Sequence, residues 1–369
     1  MLRAAALLHL ELMGRALSRG FILKDATPYN VQFQGAHPIF IDVLSLAPLE
    51  DGEPWSGYHQ FCRTMLYPLM LEAYKQIPFQ SWLRADFEGI DPVVFNRLFR
   101  GFDRFHKGVL GHVTAQAYFQ RKFISSQVSI RNTIKAAGMP PHMIAKNVHG
   151  LKELVLRLSP PQQPTAWSDY KRTHYQAEAL SQKEAFVSDS LRGRSFQLVW
   201  DLGSNDGRFS RIAARTAKTV VAMDLDSTTI DRLYLALSKE RRTNILPLVM
   251  NIANPSPSQG WACGEQASVV DRGKPDMTLA LALVHHLAIT ANVPLRALLE
   301  WLRGLTGELI IEFVSKEDPM VQRLLLNKDD TYQDYRLEMF EAQLRTFFRV
   351  VRRLELPGGT RTLYHAARG

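Results

Sequence analysis

The chain has 369 residues, 46% of them apolar, and 45 Lys and Arg against 36 Asp and Glu give a net charge of +9. That length is long for one hydrophobic core and comfortable for two domains, and the composition excludes a disordered or collagen-like chain. Two cysteines, Cys62 and Cys263, lie too far apart in sequence to suggest a disulfide framework or a zinc site, so no metal is expected and a reducing cytoplasm fits.

The first element expected is a helix over Leu2 to Ser18 with its apolar stripe turned inward. Glu11, Gly14 and Arg15 interrupt it, so it is no membrane span, and it lacks the small-residue cleavage site of a signal peptide. Next come LKDATPYN, Leu23 to Asn30, and HPIFID, His37 to Asp42. An Asp followed after four residues by Asn, with a later Asp beyond them, is the spacing by which phosphotransferases abstract a hydroxyl proton and hold magnesium. Asp25, Asn30 and Asp42 therefore resemble the catalytic loop and metal-binding strand of protein kinases and aminoglycoside-type phosphotransferases. Leu23 stands where that family has His, and Val43-Leu44 follow Asp42 where Phe-Gly is usual. Only 24 residues precede Asp25, which leaves no room for an ATP-binding lobe. The resemblance implies a degenerate, mainly helical kinase-like domain over residues 1–156, reused for structure or substrate binding, or a chain whose start lies too far downstream. Ordinary turn chemistry also explains Asp25 and Asn30.

The N-terminal 165 residues hold 18 Lys and Arg against 12 Asp and Glu, so this is the more basic part. Within it RLFRGFDRFHKG, Arg97 to Gly108, and YFQRKF, Tyr118 to Phe123, interleave cations with aromatics. Such a pattern can track a phosphate backbone or an acidic carrier, so nucleic acid stays open as a partner. The reading favoured here is an amphipathic helix, aromatics toward the core and cations toward water. Three prolines among Pro160, Pro161 and Pro164 mark residues 157–165 as a linker, with a second domain over 166–369. Tyr170 and Tyr175 read as packing of an entry helix, or as an aromatic lid.

VWDLGSNDGRFS, Val199 to Ser210, is an apolar strand that ends in Asp201 and runs into a turn built around Gly203 and Gly207. Glycine allows close approach of the backbone to a ligand, and the following helix offers its N-terminal N–H groups. TVVAMDLD then places Asp224 at a second strand end, where a doubly wound sheet puts the acid that grips a ribose diol. A nicotinamide fingerprint would need glycine at Asn205 and Arg208. The spacing of Asp201, Gly203, Ser204, Asn205, Asp206 and Gly207 instead resembles motif I of class I S-adenosylmethionine-dependent methyltransferases.

The remaining elements follow that family's order. NILPLVMNIA reads as a third strand ending at Asn251, DMTLALALVHHL as a buried fourth strand with His285 and His286 at its end, and GELIIEFV as a fifth with Glu312 at its end. FFRVVRRLEL and TRTLYHAA, joined by Pro357-Gly358-Gly359, form a terminal hairpin. Helices are expected over 208–217, 227–239, 294–303, 318–326 and 338–347. The fold class is therefore α/β, a Rossmann-like seven-stranded sheet with a terminal antiparallel hairpin.

The resemblance implies that S-adenosylmethionine is the cofactor, held by Asp201, Gly203, Ser204, Asn205, Gly207, Asp224 and Asn251. His285 and His286 are candidate proton acceptors, with Glu312 and Glu317 weaker ones. LVHHL replaces the (N/D)PPY element of amine methylation on nucleobases, and no Pro-Cys pair serves carbon-5 pyrimidine chemistry. O- or N-methylation of a small molecule, a glycan or lipid carrier, or a protein side chain remains. The alternatives are a phosphotransferase or bifunctional enzyme using Asp25, Asn30 and Asp42, and a cofactor-binding module without catalysis. A kinase-like segment before a methyltransferase resembles a bacterial group that includes nodulation-type methyltransferases.

Overall fold

The computed structural model describes residues 1–124, 139–159 and 177–369. They fall into two compact units, one N-terminal and one C-terminal. Tyr170, Tyr175 and most of the Pro-rich linker lie outside the described residues.

The N-terminal unit is built on the helix Leu2–Leu17, one residue shorter than expected because Ser18 caps it. Its buried stripe, Ala6, His9, Leu10 and Met13, has the spacing of one helix face and joins a core with Ile144, Val148, Leu151 and Val155 of the helix Pro141–Arg157. The helix Tyr67–Lys75, Phe95 and Phe99 complete that core. This unit also carries short strands, one of them inside the HPIFID segment expected as a strand. β1 (Phe21–Leu23) pairs antiparallel with β4 (Leu46–Pro48), and β2 (Val31–Gln34) pairs with β3 (His37–Phe40).

RLFRGFDRFHKG is not an amphipathic helix. Gly101–Phe105 is a 3₁₀ turn, and although Phe99 is buried, Phe102 and Phe105 face solvent. Gly101 and Gly108 both adopt positive φ, 53° and 84°, which breaks any continuous helix through the stretch. YFQRKF does lie on a helix, Ala115–Ile124, but its Tyr118 and Phe119 are exposed.

The C-terminal unit is a seven-stranded sheet of β5 (Phe196–Leu202), β6 (Ala217–Asp224), β7 (Ile245–Val249), β8 (Met277–Ala280), β9 (Glu308–Val314), β10 (Arg349–Glu355) and β11 (Arg361–Ala367). Across the sheet the order is β10-β11-β9-β8-β5-β6-β7. The five strands from β7 to β9 are parallel, and β11 runs antiparallel between β9 and β10. This is the expected Rossmann-like seven-stranded sheet with a terminal antiparallel hairpin, and its strand order reverses between β5 and β8. Both faces of the central strands are covered, so Val199, Leu202, Val220, Ala222, Met277 and Leu279 are all buried and the strands read as continuous apolar runs.

Element ends differ from expectation for local reasons. The helix after the glycine turn is only Arg208–Ala213, because Ala217 already opens β6. β7 stops at Val249, leaving Asn251 in the following loop. β8 ends at Ala280, and Ala282, at φ 51°, turns the chain out of the sheet. His285 and His286 therefore open a π-helical turn, His286–Thr290, rather than ending the strand. Glu312 lies inside β9, not at its end.

His9 is fully buried, stacked on Trp55 with ring centroids 6.0 Å apart and flanked by Phe61 and Phe40, and neither ring nitrogen has a hydrogen-bond partner. Burial lowers its pKa to about 4, below the unfolded value of 6.5. Between those values the unfolded chain binds the extra proton, so this contribution to stability is present near neutrality and lost as pH falls. Replacing His9 by Leu should reduce the stability lost between pH 7 and pH 5, measured by urea unfolding, by about 2 kcal/mol. An unchanged pH dependence would show that His9 is not held neutral in the fold.

Candidate functional site

The carboxyl ends of parallel strands gather here because β5 and β6 stop side by side, Asp201 opposite Ala222 and Leu202 opposite Met223. The turn after β5 folds onto the end of β6. Gly203 N–H and Ser204 N–H both donate to the Met223 carbonyl at 2.8 and 2.9 Å, and Asn205 N–H donates to Asp224 Oδ2 at 2.8 Å. Asp226 N–H donates to the other oxygen, Oδ1, at 2.9 Å, so one carboxylate holds the turn on one side and the start of the next helix on the other. Asp226 in turn caps that helix, Ser227–Lys239, accepting from Thr228 and Thr229 N–H.

Two glycines make the turn possible. Gly207 has φ 76°, which an L side chain rarely adopts, and a Cβ there would also come within 2.7 Å of Leu233 Cδ1 and oblige that side chain to move. At Gly203, φ 77°, a Cβ would make ordinary contact with Leu283 Cδ1 at 3.4 Å, so it is the positive φ that favours glycine where the chain borders a larger space.

That space is a cavity of about 590 Å³. Its wall includes Gly203, Ser204, Asn205, Asp224, Asn251 and His286 from among the residues singled out in the sequence. The Ser204 hydroxyl is buried with no hydrogen-bond partner, the state expected of a group placed for a ligand. Apolar lining comes from Leu225, Ile252, Leu281, Leu283 and Leu287, and Phe209 adds a ring. Burial raises the pKa of Asp224, against the Asp226 and Asn205 N–H groups that favour its charge.

Asp201, Gly207 and His285 do not line the cavity. Asp201 lies beneath it, accepting from Ser210 Oγ at 2.5 Å, and burial raises its pKa to about 6. His285 is fully buried behind His286, ring centroids 4.0 Å apart, with both nitrogens unpartnered. Burial, then the neighbouring His286, Arg361 and Lys183, hold its pKa well below 6.5. Burial followed by Arg361 lowers that of His286 to about 4, so the imidazole at the cavity wall is neutral at ordinary pH.

The sequence reading missed Lys183. It sits on the buried stripe of the helix Ala177–Leu191, 2% exposed, lines the cavity, and donates from Nζ to Glu312 Oε2 at 2.5 Å. Its ammonium also stands 4.9 Å from the centre of the Phe209 ring. Arg361 approaches Glu312 at 3.5 Å and donates from Nε and Nη2 to Asp318 at 2.7 and 3.0 Å, giving two cations and two carboxylates in one buried group. The signal was a lysine on an otherwise apolar helix stripe and an acid inside an otherwise apolar strand. Glu317 is exposed and takes no part in the wall.

In the N-terminal unit, the Asn30 carbonyl accepts from Ile41 N–H at 2.9 Å, which brings the chain at Asp42 beside Asn30. Asn30 Oδ1 accepts from Thr27 Oγ1 at 3.3 Å, while its Nδ2 and one oxygen of Asp25 are buried without partners. Among the described residues no cluster of three His, Cys, Asp or Glu could hold a metal ion. No helix among them is long and apolar enough to cross a membrane.

No protein-family model matches the chain. Among solved structures it is similar to the N-methyltransferase NodS from Bradyrhizobium japonicum WM9 in complex with S-adenosyl-L-homocysteine, at 12% identity over 55% of this chain and 93% of that one, with a TM-score of 0.39. It is also similar to magnesium protoporphyrin IX methyltransferase (ChlM) from Synechocystis PCC 6803 with bound S-adenosylmethionine, at 16% identity over 58% and 88%, TM-score 0.38. The nodulation protein NoeA of Rhizobium meliloti (strain 1021) is 37% identical over 372 residues, 98% of this chain and 77% of that protein. The chain belongs to the NoeA family of nodulation proteins.

Proposed function

We propose that the C-terminal unit is an S-adenosylmethionine-dependent methyltransferase acting on an O- or N-acceptor. The observation that carries this reading is the wall of one cavity, where the unpartnered Ser204 hydroxyl, the Asp224 carboxylate and the Gly203 backbone meet at the ends of β5 and β6. Those groups fit an adenosine with an amino-acid tail. Bound there, S-adenosylmethionine supplies an electrophilic methyl group on a sulfonium.

In this reading Asp224 accepts the ribose hydroxyls on lone pairs left over from its two backbone bonds. Ser204 and the turn around Asn205 line the same ligand, and the Asn251 carbonyl group accepts from the adenine amine. Asp201 acts from below, holding the first turn of helix 208–213 through Ser210. The apolar lining excludes water and orients the acceptor, which is most of what methyl transfer requires of a protein. His286, neutral at the cavity wall, accepts a hydrogen bond from the acceptor's O–H or N–H, which orients it and draws off its proton only as the methyl group arrives, and buried His285 packs behind it.

Replacing Asp224 by Ala should weaken binding of S-adenosylhomocysteine, measured by calorimetry, at least about tenfold, since two hydrogen bonds to a charged group are lost. An unchanged affinity in a folded variant would count against the assignment. His286→Ala should lower turnover roughly 100-fold while S-adenosylhomocysteine binds as before, separating proton transfer from cofactor binding. Equal losses in both would make His286 a wall residue only.

A further inference from the structure

Phe102 and Phe105 are 93% and 73% exposed, and neighbouring Leu110 is 52% exposed. Buried alternatives are close by: Phe99, three residues earlier, is fully inside the core. A 3₁₀ turn eclipses side chains three apart, so the rings of Phe102 and Phe105 project from the same side of Gly101–Phe105.

The turn is held firmly from its inner side. His106 stacks on Tyr74 with ring centroids 4.5 Å apart and planes 11° from parallel, Tyr74 Oη donates to the Lys107 carbonyl at 2.9 Å, and Arg104 Nε donates to the Phe99 carbonyl at 3.3 Å. Asp103, the one acid between Arg97 and Leu110, is half-exposed and is paired with Lys75. What faces water is then two phenyl rings and a leucine, flanked by exposed Arg100, Arg104 and Lys107. Such projection of apolar side chains from an anchored turn marks an interaction surface.

We propose that this turn is a membrane-surface anchor, in which Phe102, Phe105 and Leu110 enter the headgroup region of a bilayer while Arg100, Arg104 and Lys107 meet anionic lipid headgroups. Cations around an apolar tip are the arrangement that binds such a surface, through buried apolar area together with attraction to anionic lipid. Single-stranded nucleic acid would favour aromatic platforms along a basic groove. Here the exposed apolar residues of the stretch include Leu110, which has no face for a base to stack on. The single acid of the stretch, Asp103, is taken up by Lys75, so three exposed cations set the charge of this face and its complement is negative.

The test is co-sedimentation of the full chain with vesicles of phosphatidylcholine alone and of phosphatidylcholine mixed in equal parts with phosphatidylglycerol. The expected result is binding to the mixed vesicles only, weakened at least about tenfold in Phe102→Asp/Phe105→Asp and kept in Phe102→Trp/Phe105→Trp. Both rings are solvent-exposed, so circular dichroism and the melting temperature of the variants should match the parent. Equal binding to both vesicle types, no vesicle binding, or undiminished binding by the Asp variant would each overturn the proposal. So would retention of an oligonucleotide in place of vesicles, or a shift from dimer to monomer as the only effect of the Asp variant.

Discussion

The C-terminal unit depends on one carboxylate. Asp224 accepts Asn205 N–H on one oxygen and Asp226 N–H on the other, and the Met223 carbonyl beside it takes both Gly203 and Ser204 N–H. Three of these bonds tie the turn after β5 to the end of β6, the fourth holds the start of the following helix, and the Asp224 carbonyl accepts Met250 N–H from the loop after β7. Three strand ends are thereby fixed around one cavity before any ligand arrives. Such a turn needs positive φ at Gly203, Asn205 and Gly207, and a side chain at the last would also displace Leu233.

Opposite that polar rim the cavity rests on a buried ionic group. Lys183 comes from the helix before the sheet, Glu312 from β9, Arg361 from β11 and Asp318 from the cap of helix 319–325. Their charges balance, and loss of one partner would leave another buried and unpaired. Arg361 of this group also raises the cost of charging either imidazole, and Lys183 adds to it at His285. The site thus combines an acidic side suited to hydroxyls and amines with a side whose histidines stay neutral.

Much of this was legible in the sequence, where it depended on local rules. Strand ends that carry Asp201 and Asp224, the glycine turn and the Pro357-Gly358-Gly359 hairpin each follow from near-neighbour chemistry. The end of β8 was not legible, because the break falls at Ala282, a non-glycine residue in the left-handed region. Lys183 and Glu312 were missed as a pair because 129 residues separate them and only the folded sheet brings them together. Phe102 and Phe105 were misplaced because alternating aromatics and cations fit an amphipathic helix, whereas Gly101 and Gly108 divide the stretch into an anchored turn.

Ultraviolet crosslinking of methyl-labelled S-adenosylmethionine to the protein, followed by peptide mapping, tests the central assignment most directly. Label should appear on peptides that contain residues 180–183, 203–209, 224–229, 250–253 or 281–291, the segments lining the cavity, and excess S-adenosylhomocysteine should abolish it. Label confined to other peptides, or none that the competitor displaces, would contradict the assignment.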